Sequence, residues 1–333
     1  MTPLVRTAVI GLGWAGTVHA NTLAAMPGID VVALVDPDPQ RRAAFPRLPT
    51  FTTPQEALQQ RLDYCVVATP TRTHEPIALA LAAAQVPALI EKPLAPDPAS
   101  AWRIADAFQR AGLVAGVGHT ERHNPATAEL ARLVHSGQLG GLWQITLHRQ
   151  GPFPQRITDV GVALDLAVHD LDLARWIADR PIDRITASTT TLTGLHEDTA
   201  TATAYLTGGL LAHLHTDRIS PLRRRTVEVH TPAGVLTADA VTRTLTLHPN
   251  TSTSADSWPG VSAGEPVTLP VPSAPAPFEV ENQLMRNAVQ GEPAPGMVSL
   301  ADGAAAVCAA TALLTAARTE SAAGVERREP AHR

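Results

Sequence analysis

The chain has 333 residues, 44% of them hydrophobic and 17% charged, enough for about two globular domains with sizeable cores. Its net charge of −5 argues against nucleic acid or an anionic membrane as a partner, since both call for a basic surface. No uninterrupted apolar run approaches the roughly 18 residues of a spanning helix, and the segment from Met1 to Arg6 lacks the charged-then-apolar order of a secretory signal, so a cytoplasmic protein is expected.

Strand and helix signals alternate over the first 120 residues. Residues 7–10 form a short apolar strand, followed by Gly11-Leu12-Gly13-Trp14-Ala15-Gly16 and a helix to about Met26. A second buried strand, 31–35, ends at Asp36, and short helices follow near 40–45 and 54–60. Further strands are read at 63–68, 88–90 and 113–117, with helices over 75–85 and from Asp97 to Ala111. Apolar strands separated by helices predict a doubly wound parallel sheet, so residues 1–120 are read as an α/β Rossmann domain.

The pattern changes after Thr120. A helix over 125–136 leads to a strand at 142–148, a Gly/Pro-rich loop over 151–161 and a helix over 164–178. Thr/Val-rich alternating segments from 185 to 269 predict a large, mainly antiparallel open sheet. Residues 249–277 read as an irregular loop, two helices close the chain near 278–290 and 300–318, and 321–333 as a frayed tail. Residues 121–320 are thus expected to form an α+β domain. Cys65 and Cys308, far apart in apolar surroundings, are expected to be free thiols. His213 and His215, alternate residues of one strand, lack the carboxylate or cysteine neighbours of a metal centre, and none is predicted.

Of the 26 basic residues, 25 are arginine and only Lys92 is lysine. Arginine cannot supply a compact ammonium, so the surviving lysine is a candidate for chemistry.

The glycine run has the full context of a dinucleotide fingerprint: a strand before it, a helix after it, and Asp36 closing the next strand 20 residues beyond Gly16. Gly11 permits the tight turn, Gly13 lets backbone approach a pyrophosphate, and Gly16 lets helix pack on strand. The diphosphate would rest on the backbone of Leu12, Trp14 and Ala15 at the helix N-terminus. Asp36 would accept the ribose hydroxyls and repel a 2′-phosphate, favouring NAD; Arg41 nearby leaves NADP open.

Three further motifs carry a resemblance: Ala68-Thr69-Pro70-Thr71-Arg72-Thr73-His74, Glu91-Lys92-Pro93, and Asp165-Leu166-Ala167-Val168-His169. In this order, after the fingerprint, the chain resembles the Gfo/Idh/MocA oxidoreductases, relatives of glucose–fructose oxidoreductase and inositol dehydrogenase. The resemblance implies Lys92, Asp165 and His169 as catalytic groups, with His169 taking a hydroxyl proton while Lys92 polarises the oxygen. It places Thr69, Pro70 and His74 on the nicotinamide side, Glu91 beside them as a structural or cofactor contact, and a cis peptide before Pro93. It implies an oligomer, homodimer or homotetramer, built on the exposed face of the second sheet, whose apolar area would need covering.

The segment from Gly118 to Pro125, with Arg149 to Arg156, resembles a subgroup that oxidises a sugar 3-hydroxyl, although His123 stands where phenylalanine is common. Arg122, Asn124, Arg149 and Arg156 are candidate substrate contacts beside Asp165 and His169, since an anionic sugar would want a forked donor. The expected substrate is a sugar, nucleotide sugar or cyclitol. Two alternatives remain open: an NADPH-dependent keto-sugar reductase of secondary metabolism, and a non-catalytic NAD(P)-binding sensor.

Overall fold

The computed structural model describes residues 4–153, 160–252 and 261–319; Arg156 and the expected tail lie outside them. The first sheet has six strands: β1 (Val5–Ile10), β2 (Ile29–Val35), β3 (Thr50–Phe51), β4 (Tyr64–Val67), β5 (Ala88–Glu91) and β6 (Ala115–Gly118). They pair in parallel in the order β3-β2-β1-β4-β5-β6. Every residue of β4 and β5 is buried, as strands covered on both faces must be. The crossovers carry α1 (Trp14–Ala25), α2 (Pro39–Ala43), α3 (Pro54–Ala57), α4 (His74–Ala83) and α5 (Pro98–Ala111). Sequence sets the limits of α5: the Asp97 carboxylate accepts the Ser100 N–H at 2.9 Å, and Gly112 ends the helix at φ 64°.

The order of strands reverses between β1 and β4. The loops leaving β1, β4 and β5 therefore gather at one carboxyl edge, where open α/β sheets bind ligands. They carry the glycine run, Thr69-Pro70 and Lys92.

The second domain begins with α6 (Pro125–His135), β7 (Gln144–Gln150), a π turn at Ala163–Ala167 and α7 (Val168–Ala178). Strands β8 (Ile182–Thr190), β9 (Thr199–Leu206), β10 (Leu210–Asp217), β11 (Arg224–Thr231), β12 (Gly234–Asp239), β13 (Thr244–Ser252), β14 (Val261–Ala263) and β15 (Val267–Leu269) follow, then α8 (Pro277–Val289) and α9 (Leu300–Thr319). Nine of these strands form one sheet, β14-β13-β12-β11-β7-β10-β9-β8, with β15 on β13. Only β7 and β10 pair in parallel. Three strands thus occupy parts of 249–277, the stretch read as irregular, where ladder pairing overrides a Pro/Ser/Thr-rich composition.

Alternation along these strands turns Ile145, Leu147, Ala202, Ala204, Leu214, Val227 and Val229 inward to a core shared with α6, α7 and α9. The other face carries the half-exposed Thr146, His148, Thr203, His213, His215, Glu228 and Thr237. That face is mainly polar, with Tyr205, Leu211 and Val235 half-exposed among the polar residues, because the period of two has sent most of the apolar set inside.

The two closing helices return to the first domain. Helix α8 lies against α1, β4 and β6, while α9 lies against α5 and β6 on one side and α7 and β8 on the other. Helix α9 is long and apolar enough by composition to cross a membrane. In this fold its Gly303, Ala304, Val307 and Ala310 are buried among those neighbours. A division of the chain at residue 120 therefore describes the strands better than the helices.

Candidate active site

The glycine run shows why each glycine is needed. Gly11 adopts φ +93°, and a Cβ there would meet the Ala68 carbonyl oxygen at 2.5 Å; on Gly16 it would lie 1.8 Å from the Gly11 oxygen. At Gly13 a Cβ would meet nothing within 4 Å, so the backbone faces open space beside the first turn of α1. The N-cap residue Gly13 supplies no side-chain cap, and the helix dipole at that turn favours an anion. Asp36 is buried at the end of β2. Its carboxylate accepts the Leu12 N–H at 2.8 Å and the Asp38 N–H at 2.9 Å, and Arg41 lies 3.4 Å away. The acid that would meet a ribose is thereby tied to the loop that would meet a diphosphate.

Opposite lies the turn bearing Lys92, whose peptide to Pro93 is cis. His74 spans the two neighbouring loops: Nε2 is 2.9 Å from the Thr69 carbonyl oxygen and Nδ1 3.1 Å from that of Pro93. It is buried behind those loops, a strap for the cofactor wall and not part of its surface. Glu91 is likewise buried, accepting the Lys92 N–H at 3.0 Å.

Lys92 reaches across to the second domain. Its Nζ donates to Oδ1 and to the main-chain oxygen of Asp165, both at 2.8 Å. Asp165 sits in the π turn that leads into α7, a wider turn than the regular helix expected over 164–178. Its Oδ2 is buried and accepts no hydrogen bond from the described residues. His169, one turn on, is buried with Nδ1 equally unpartnered. Burial, with Lys92, Arg149, His119 and Arg225 adding positive charge nearby, holds its imidazole well below the ordinary histidine range. At neutral pH His169 is thus an uncharged imidazole with proton-accepting capacity, beside an ammonium that has one N–H left to give.

The arginines expected to anchor a substrate sit elsewhere in the chemistry. Nε and Nη2 of Arg122 both donate to the Asp172 carboxylate, and its guanidinium lies 5.5 Å from the Trp176 ring. Arg149 is buried between Asp170, at 2.8 Å, and Glu121, at 2.9 Å. Asn124 caps α6 and donates to the Ala240 carbonyl. All three are held by internal partners in this structure: a buried guanidinium requires a counter-charge inside the protein, and α7 and Glu121 supply it. Arg156 lies outside the described residues. Sequence reading missed Glu121 and His119; His119 is fully buried and packs edge-on to His169 with ring centres 5.7 Å apart. Its place directly after β6, at the same sheet edge as Lys92, was the available signal.

Two family models match the chain: an oxidoreductase family of NAD-binding Rossmann fold over residues 5–119, and the GFO/IDH/MocA C-terminal domain over 127–237. Inositol 2-dehydrogenase 4 of Saccharopolyspora erythraea is 34% identical over 189 residues, 54% of this chain and 56% of that protein. The alignment thus spans little more than half of that relative's length. UDP-N-acetylglucosamine 3-dehydrogenase of Acidithiobacillus ferrooxidans is 29% identical over 77% of this chain and 81% of its own. A solved structure of that enzyme superposes with a TM-score of 0.82 at 26% identity, covering 93% of this chain and 96% of the other. GenD2 from gentamicin A biosynthesis, solved in complex with NAD, gives 0.81 at 27% identity, with 96% and 95% covered.

Proposed function

The chain belongs to the Gfo/Idh/MocA oxidoreductase family, and from that premise we propose that it oxidises a ring secondary alcohol of a sugar, nucleotide sugar or cyclitol with NAD. The observation that carries this reading is the pairing of Lys92, fixed by two 2.8 Å hydrogen bonds to Asp165, with a neutral His169 beside it. The residues fit a dinucleotide: the open face of Gly13 and the uncapped first turn of α1 suit a diphosphate, and Asp36 suits an unphosphorylated ribose. The Leu12 N–H is held by Asp36 and the Gly11 N–H by the Val35 carbonyl, so the backbone from Gly13 to Gly16 would hold the diphosphate, while Thr69 and Pro70 would wall the nicotinamide end. When bound, NAD supplies the acceptor for the hydrogen and electron pair that leave the alcohol carbon.

Lys92 spends two of its three N–H bonds on Asp165, and the third polarises the substrate oxygen. His169 takes the hydroxyl proton as the carbonyl forms. Asp165 balances the ammonium and keeps one oxygen for the substrate. In reverse, the same groups return a proton to a ketone. Oxidation at a 3-hydroxyl is favoured within this reading. It draws on the likeness, over most of the chain, to UDP-N-acetylglucosamine 3-dehydrogenase, where the inositol dehydrogenase matches span about half.

The test is NADH formation by the purified protein with a panel of UDP-N-acetylhexosamines, amino sugars and inositols, repeated with NADP. Turnover with none of them, alongside tight NAD binding, would replace the enzyme by a nucleotide-binding sensor.

A further inference from the structure

Beneath Lys92, three ionisable side chains from three elements meet in the interior: His19 of α1, Glu91 of β5 and Glu281 of α8. One ligand-type atom of each lies within 4.8 Å of the others. His19 is fully buried, and Glu281 is 3% exposed with both oxygens lacking a hydrogen-bond donor.

Hydrogen bonds around the cluster assign its protons. The Asn282 amide nitrogen lies 2.7 Å from the Phe278 carbonyl oxygen and 2.9 Å from His19 Nδ1, while its oxygen faces the Tyr64 hydroxyl at 3.3 Å. Turning the amide over would set its oxygen against the Phe278 oxygen, so Asn282 donates and Nδ1 accepts. His19 then carries its single proton on Nε2 and donates it to Glu91 at 3.1 Å. The other oxygen of Glu91 accepts the Lys92 N–H. Glu91 is therefore a carboxylate with both oxygens satisfied; the same His19 Nε2 lies 3.5 Å from Glu281 Oε1 without a hydrogen bond, so among the described residues no donor remains for Glu281 except its own proton.

We propose that Glu281 is held as an uncharged carboxylic acid facing the Glu91 carboxylate, so that α8 latches onto the strand end that carries Lys92. Two carboxylates this close in a dry interior would repel strongly, whereas one proton turns the contact into an attraction. Among the described residues no lysine or arginine pairs with Glu281, and His19, 3.5 Å from its Oε1, is committed to Glu91. The other ionisable groups around the cluster are Tyr64 and Cys65 on β4, His74 on α4, His119 after β6, Lys92 itself, and Arg286 on α8, whose guanidinium donates to the Pro27 carbonyl. Burial and Glu91 both push the Glu281 carboxyl well above the usual range, in keeping with the geometry. Three such side chains are also of the metal-ligating type, but an imidazole with hydrogen on Nε2 and a donor on Nδ1 has no lone pair to give. Glu281 thereby acts as a positioning residue for Lys92. This consequence rests on the function proposed above, whereas the protonation state does not.

The test uses the whole protein labelled with 13C-glutamate. One side-chain carboxyl resonance is expected to keep the position of a protonated acid at neutral pH and to be missing from Glu281→Gln. Because the folded state holds a proton that the unfolded chain releases above about pH 4.3, the native protein loses stability as pH rises from there. Glu281→Gln, which mimics the neutral acid, should melt higher by about 2–4 °C at neutral pH, the gap closing toward acid. Turnover lost in Glu281→Ala and recovered in Glu281→Gln would separate positioning from packing. An ionised Glu281, a stoichiometric divalent metal lost with Glu281→Gln, or a glutamine variant destabilised at every pH would overturn the proposal. Absence of any turnover would count against the proposed function alone, since the resonance and the melting trend still decide Glu281.

Discussion

In the layer formed by Arg122, Asp172, Arg149, Asp170 and Glu121, every guanidinium meets a carboxylate; at the cleft formed by Lys92, Asp165 and His169, two polar atoms have no hydrogen-bond partner among the described residues. Both regions draw on α7 and its lead-in turn, and both are buried apart from the half-buried Lys92. The difference lies in spent and unspent capacity. Structural charges consume their hydrogen-bonding power within the protein, because a buried charge left unpaired is costly. Groups meant for a substrate must keep some of theirs, and the cleft can do so because a mobile molecule will complete it.

Breaking each side should therefore fail in its own way. Replacing His169 by Gln should cost about 10²–10⁴ in kcat with little loss of stability. Because its imidazole is held well below the ordinary range, the native kcat/KM should stay level through about pH 6.5 and fall only in more acid solution. A profile that bends at the ordinary histidine value would remove His169 as the base. Arg149→Met should do the reverse. It leaves Asp170 and Glu121 short of their buried partner, for about 3–5 kcal/mol of stability in urea titration. A variant as stable as the parent, but with KM raised, would restore Arg149 as a substrate anchor. Lys92→Ala should lower kcat by about 10²–10³, and Lys92→Arg should not recover it, because a planar fork cannot take the place of Nζ on Asp165. The smallest effect belongs to the cofactor wall: Asp36→Asn should move the ratio of kcat/KM for NAD over NADP toward NADP by about tenfold, or ~1.4 kcal/mol. An unchanged ratio would mean that Asp36 serves only its bond to the Leu12 N–H.

The fold was legible where its physics is local. The glycine run declared itself because positive φ at Gly11 and close packing at Gly16 are demands on single residues. The parallel sheet declared itself through unbroken apolar runs such as Tyr64–Val67. The candidate base and lysine were reached through motif resemblance, which preserves order along the chain. The partners of the arginines were not legible, for the opposite reason. A sequence displays the charge of Arg122 but not Asp172, its partner 50 residues on. The return of α8 to the first domain was also invisible, since no local pattern in 277–289 names the helix it packs against.

By itself, then, the sequence determined five of the six Rossmann strands (all but the two-residue β3), the glycine loop, the acid at the end of β2 and the singular lysine, all set by backbone geometry or residue identity within a few positions. Only the tertiary structure decided which charges are spent and which are free. His19 and Glu91 stand 72 residues apart, and His19 and Asn282 stand 263 apart. Whether a carboxyl keeps its proton depends on the solvent it loses and the charges it meets, and both are consequences of packing.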